Sequence, residues 1–165
     1  CPNRFALGAA CGDDTKVVTD TGSNGQTTVK TVPDVKFAKT QFVLHMGLAY
    51  GAFARYIKNP YQRGDFKQGA EKRKRSIAKA AIAAVFTYSE LKRARRAAES
   101  SDTLRRKLVN PMDKVLSQLD DAVAELKNGK LPDVAALLAG FTGLRELAER
   151  AGFGFDEKNA PIPGL

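Results

Sequence analysis

Phe42, Met46, Ala49, Phe53 and Ile57 recur at steps of four, three, four and four. That spacing puts all five on one face of an α-helix, whereas a strand would scatter them over both of its faces. Val43, Leu44 and Leu48 broaden the face. The segment therefore reads as a largely buried helix from about Asp34 to Lys58. Asn59-Pro60 closes it, because proline disfavours helical backbone in the residue before it. A helix this apolar needs partners on most of its circumference. Gly47 and Gly51, four apart, leave room for a neighbouring helix to come close.

The rest of the chain supplies candidate partners. A second helix is expected from near Gln68 to Ser100, with Ile77, Ala81, Ala84, Tyr88 and Leu91 facing inward. Its alanines imply close packing against the bulky first helix. "NPMD" at residues 110–113 reads as the start of a third helix, with Asn110 as cap, Pro111 in the first position and Asp113 in the first turn. Leu108, Met112, Val115, Leu119, Ala122 and Leu126 form its heptad-like seam, and Asn128-Gly129 is its stop. Asp102 to Val109 is then a short separate helix or a kinked lead-in. A fourth helix, about Pro132 to Arg150, carries Leu137, Phe141, Leu144 and Ala148. Gly152 ends it, and Phe153 and Phe155 dock the irregular tail. Strand signals are nearly absent. The expected fold is all-α: an antiparallel four-helix bundle over residues 34–165, with room for one extra short helix. The 165 residues suffice for one such domain, and no apolar run reaches the length that spans a bilayer.

The first 33 residues differ in kind. They hold both cysteines, Cys1 and Cys11. Leu7-Gly8-Ala9-Ala10-Cys11 resembles the lipobox of bacterial lipoproteins, in which small residues precede a cysteine that becomes the new N-terminus. The resemblance implies a diacylglycerol on the Cys11 thiol and an extracytoplasmic, membrane-anchored location. Residues 1–10 are then a signal-peptide remnant, and otherwise a disordered start. Two acyl chains anchor stably where one does not. Residues 11–33 are rich in Gly, Thr, Asp, Ser and Asn. That composition has little to bury, so a polar, flexible tether is expected there.

Charge is the strongest functional signal. The chain carries a net +9. Lys67 to Arg96 contains ten Lys or Arg against two acids, Glu71 and Glu90, and so holds +8 of it. The candidate anion-binding residues cluster at the two ends of the second helix: Lys72, Arg73, Lys74 and Arg75 at one, Lys92, Arg93, Arg95 and Arg96 at the other. The clusters lie about 30 Å apart by helix rise. On an extracytoplasmic protein they would meet anionic lipid or wall polymer. The rival reading is a cytoplasmic, basic helical protein that binds nucleic acid. A third is a carrier of an apolar ligand, held by Phe42, Phe53, Phe86 and Phe141.

Catalytic signals are weak. The chain has no Gly-x-Ser-x-Gly elbow and no phosphate-binding Gly-x-x-x-x-Gly-Lys loop. His45 is its single histidine and reads as a semi-buried residue bonded to a neighbour. Arg63-Gly64-Asp65 reads as a turn. A non-enzymatic protein without metal or cofactor is expected.

Overall fold

The computed structural model describes residues 15–165. The expected lipidation site, Cys11, lies outside the described residues. The fold is mostly helical with one small sheet. Strands β1 (Thr15–Thr21) and β2 (Thr27–Pro33) precede helices α1 (Ala38–Phe53), α2 (Asn59–Arg63), α3 (Arg73–Ser100), α4 (Asp102–Lys127) and α5 (Val134–Arg150). A π-helical turn, Ala54–Lys58, joins α1 to α2.

Helix α3 is central, packed against α1 on one side and α4 on the other, with α5 against α4. Its inward face is made of methyl groups. Ala80, Ala83, Ala84, Ala94, Ala97 and Ala98 are all buried. The expected stripe is rotated: Ile77, Ala84 and Leu91 are buried, while Ala81 and Tyr88 lie at its margin. Phe42, Met46, Ala49 and Phe53 of α1 and Ile57 of the π-turn all enter the core. Phe53 stacks on Phe141 of α5 with centroids 4.8 Å apart, and Tyr50 meets Phe141 edge-on at 5.8 Å. Such pairs add about 0.5–1.5 kcal/mol beyond their buried area.

Three expectations require correction. The first is the flexible tether, because residues 15–33 form an antiparallel hairpin in register Thr15 with Pro33 through Thr21 with Thr27. The composition is polar, but Val and Thr dominate both strands. These β-branched residues favour the pleated backbone. Gly25, at φ 83°, closes the turn where other residues would be strained. The second is Pro60, which does not end the helical path. The wider π-turn before it absorbs the missing proline donor and ring, and the chain continues helically to Arg63. The third is Pro111, which starts no helix. It lies inside α4, whose cap is Ser101, its side chain accepting from the Leu104 amide. Burial of Leu104 and Leu108 upstream of the proline outweighs the roughly 3 kcal/mol that an interior proline costs.

A lone hairpin is marginal in water, and this one is pinned by charge. Arg105 of α4 is buried and forms a fork onto Asp20 of β1 at 3.1 and 2.9 Å. It also donates to Asp102 and to the Glu99 carbonyl. Lys16 donates to the Ser100 carbonyl, and the Ser100 hydroxyl accepts from the Val35 amide. The corner between α3 and α4 thus holds both the hairpin and the approach to α1.

Gly47 and Gly51 do admit a close neighbour, but it is the C-terminal tail and not a helix. Lys158 donates its amide to the Gly47 carbonyl at 3.0 Å. A Cβ on Gly51 would overlap the Lys158 backbone, and one on Gly47 would lie 2.7 Å from the Asp156 carbonyl oxygen. Phe155 and Ile162 are buried and fasten the tail at two points.

Two outcomes follow. Gly51→Ala should destabilise the fold by about 1–3 kcal/mol through overpacking and expose the tail to protease. Gly143→Ala, in open space on α5, should be neutral or slightly stabilising. Denaturation with limited proteolysis separates the two.

Hydrogen bonds from Arg105 and then Lys30 hold the Asp20 carboxyl well below its ordinary value of 3.8. A depressed folded value means its contribution is complete above that ordinary range and declines as pH falls through it. Stability of the wild type should therefore fall from about pH 5 downward, and Asp20→Asn should flatten that acid limb in denaturant melts.

Candidate anion-binding cleft

The end of the molecule where α1 passes into α2 faces the first turns of α3. The π-turn presents Arg55 and Tyr56, α2 presents Arg63, and α3 presents Lys72, Arg75, Ser76 and Lys79. Together with Pro60 and Asp65 they line an open cleft of about 440 Å³. Five cations thus face one carboxylate, which Arg63 already engages at 3.2 and 2.9 Å. The expected turn at Arg63-Gly64-Asp65 is present, with Gly64 at φ 83°, and its two charges pair across the glycine.

The electrostatics of this end are unfavourable. Helix α3 opens with Arg73-Lys74-Arg75 and has no acid in its first turn. Its cap, Lys72, is left-handed at φ 63° and makes no side-chain capping bond. A helix N-terminus is the positive end of its dipole, and cations there cost about 0.3–1 kcal/mol each at low salt. An oxyanion in the cleft would turn this repulsion into attraction. Arg55 and Arg63 offer planar forks, Lys72 and Lys79 offer point charges, and the Tyr56 and Ser76 hydroxyls offer neutral donors. That donor set suits a phosphate group. Arg55 is steadied over the Tyr56 ring at 5.2 Å from its centroid.

The structure divides the eight basic residues singled out by charge. Lys72 and Arg75 line the cleft. Arg73 does not, because its Nε donates to the Phe66 carbonyl at 2.9 Å and fixes the preceding loop. Lys74 is exposed beside it. At the other end of α3, Lys92 lies over the Tyr88 ring at 5.3 Å. Arg93 binds Glu90 at 3.2 Å. Arg95 clamps α3 to α4 through Asp113 at 2.5 and 3.2 Å and reaches Glu99 at 2.5 Å. Arg96 is exposed on the same helix. The second cluster is largely committed to the protein's own acids and aromatic rings, and the first is gathered around space.

Arg55, Arg63 and Lys79 complete the cleft without having been singled out. A helix that stops at Asn59 gives Arg63 no defined direction, and only the π-turn brings it round to face α3. His45 sits elsewhere, between α1 and α3. Its Nδ1 meets the buried Glu90 carboxylate at 2.5 Å and its Nε2 meets Gln41 Oε1 at 3.1 Å. Phe42, Phe53 and Phe141 are fully buried core residues. Among the described residues, no three His, Cys, Asp or Glu side chains gather to hold a metal ion, and no helix is long and apolar enough to cross a membrane. No protein-family model, curated protein or solved structure matches the chain.

If the cleft is held together against its own repulsion, removing one charge should help the fold and harm binding. Arg75→Gln should raise stability by about 0.3–1 kcal/mol at low ionic strength, with the gain shrinking as salt is added. Thermal melts at two salt concentrations test this, and a loss of stability would contradict it.

Proposed function

We propose that this chain is a non-enzymatic binding protein of the cell envelope, anchored through a lipid on Cys11, that holds a phosphate-bearing anion in the cleft between α2 and α3. One observation carries the reading: five cations converge on a concave space at the positive end of a 28-residue helix, with a single, already paired carboxylate among them. We further infer that the four long helices pack as an antiparallel bundle, α1 and α3 forming its tightest pair. Such a scaffold holds Arg55, Arg63 and Lys79 on separate elements at fixed separation, which favours one compact anion over a diffuse field. The nucleic-acid reading draws on the same cations. It finds less support, because Tyr88, the aromatic nearest the second basic cluster, is already covered by Lys92.

Inorganic pyrophosphate is a suitable probe. Calorimetric titration should show binding that weakens steeply with salt, and Arg55→Gln or Lys79→Gln should each reduce affinity about tenfold, the scale of a lost charged hydrogen bond. Absence of binding at low salt would refute the cleft. Tight binding of single-stranded oligonucleotides that ignores these substitutions would favour the nucleic-acid reading. Intact mass of the protein expressed from its full gene in a lipoprotein-processing bacterium tests the anchor separately. A chain starting at Cys11 with a diacylglycerol mass is the expected result.

A further inference from the structure

Arg75, Lys79, Ile82, Phe86, Ser89 and Arg93 follow one another along α3 at steps of four, three, four, three and four. They form one stripe on the helix, about 27 Å long by helix rise, opposite the alanine face. Its centre is apolar and open: Ile82 is 39% exposed and Val85, beside the stripe, 41%. The C-terminal tail extends this centre, with Ile162 and Pro163 joining Val85 and Phe86 in a shallow cleft of about 470 Å³ and Leu165 also exposed. Cations stand at both ends. Arg75 and Lys79 belong to the anion cleft, and the Arg93 side chain is 64% exposed despite its contact with Glu90. The stripe itself carries no acid; Glu90 lines the edge of the shallow cleft but is buried, its carboxylate held between His45 and Arg93.

We infer that this face of α3 lies on an anionic lipid bilayer, its apolar centre entering the headgroup boundary and its cations meeting lipid phosphates. The inference rests on the cleft reading above and deepens it, because the phosphate held by Arg75 and Lys79 then belongs to a phospholipid headgroup. An apolar patch flanked by cations on one exposed face can meet the acyl boundary and the lipid phosphates together, and binding grows with both the buried apolar area and the attraction to anionic lipid. Each cation near an anionic leaflet strengthens attachment about fivefold. The few half-exposed apolar side chains are too small a patch for a stable protein interface, which needs roughly 800 Å² from each partner. The anchor fits the same geometry. Lys16 is tied to the Ser100 carbonyl at the C-terminal end of α3, and Cys11 stands four positions before Thr15. Such a segment spans at most about 14 Å. An acyl group on Cys11 and the α3 stripe can therefore enter one membrane.

The chain contains no tryptophan, so Val85→Trp gives a single reporter at an exposed position. The test uses the full chain carrying Cys11→Ser, which removes any lipid anchor. With vesicles of equal parts phosphatidylglycerol and phosphatidylcholine, its emission should shift to the blue and its intensity rise. Phosphatidylcholine alone should leave it unchanged. Adding Ile82→Glu should weaken partitioning at least tenfold with an unchanged melting temperature. Arg55→Gln, in the cleft but off the α3 stripe, should weaken pyrophosphate binding about tenfold yet cost vesicle binding only a few-fold. No shift with the anionic vesicles at low salt overturns the inference, as does a shift that grows with protein concentration alone, which would mark a second copy on this face. Pyrophosphate binding without vesicle binding leaves the cleft standing and removes the membrane face. Vesicle binding without pyrophosphate binding removes the cleft and keeps the face.

Discussion

The close contact of α1 with α3 is the constraint on which the rest of the molecule depends. Alanine on the inner face of α3 sets how near the two axes come, since ridges of methyl groups leave shallow grooves. The bulk that α3 lacks comes from Phe42, Met46 and Phe53 of α1 and Ile57 of the π-turn that follows it. Replacing any of the buried alanines by a larger residue would part the helices along their length, because packed cores yield little. Where α1 passes through the π-turn into α2, Arg55, Tyr56 and Arg63 face the first turns of α3 across the cleft. Cleft and core thus adjoin, the core running through Ile57 and the cleft opening beyond it.

Two polar pairs fix what apolar packing leaves free. Arg105 and Asp20 join residues 85 positions apart, and His45 and Glu90 join α1 to α3 within their interface. Burying such groups is expensive, and a pair often returns little more than its desolvation. Their value lies in direction. Alanine faces slide readily against apolar partners, whereas a carboxylate that must meet one imidazole sets α1 in a single register on α3. The Arg105 fork does the same for a hairpin whose own sheet has only two strands. By contrast, the cations of Lys72 to Lys79 show no comparable acidic partners among the described residues. Local conflict of this kind, in an otherwise consistent structure, marks a place shaped for something other than stability.

How much of this was legible in the sequence depended on the range of the interactions. The period of Phe42 to Ile57 and of Leu108 to Leu126 revealed buried faces, because a helix repeats its environment every few residues. The hairpin was hidden by weighing polarity alone. Thr15 to Pro33 has little to bury, but its Val and Thr content favours strands, and its decisive partner, Arg105, lies far along the chain. Pro60 and Pro111 were read by the local rule that proline ends or begins helices. In one case a π-turn absorbed the proline, and in the other, buried leucines on its N-terminal side did. The cleft was half visible: Lys72 and Arg75 stood out by charge density, while Arg55 and Arg63 needed the path of the chain past Pro60.

Charge density also overstated the second cluster. Lys92, Arg93 and Arg95 contribute as much to the net charge as Lys72, Arg75 and Lys79. Yet Asp113, Glu99 and Glu90 take up two of their three charges, and the Tyr88 ring covers the third. A sum over residues sees ten cations and two acids between Lys67 and Arg96. The fold adds Asp113 and Glu99 to that account at one end only, so the field of α3 is strongest toward its N-terminus. An anion drawn to this helix is therefore drawn along it, away from the α4 contact and toward the cleft. The apolar stripe lies between the two ends, so a surface that follows the field to Arg75 and Lys79 must pass over Ile82 and Val85. Electrostatic attraction and apolar burial then act on the same face, and neither needs to be strong alone.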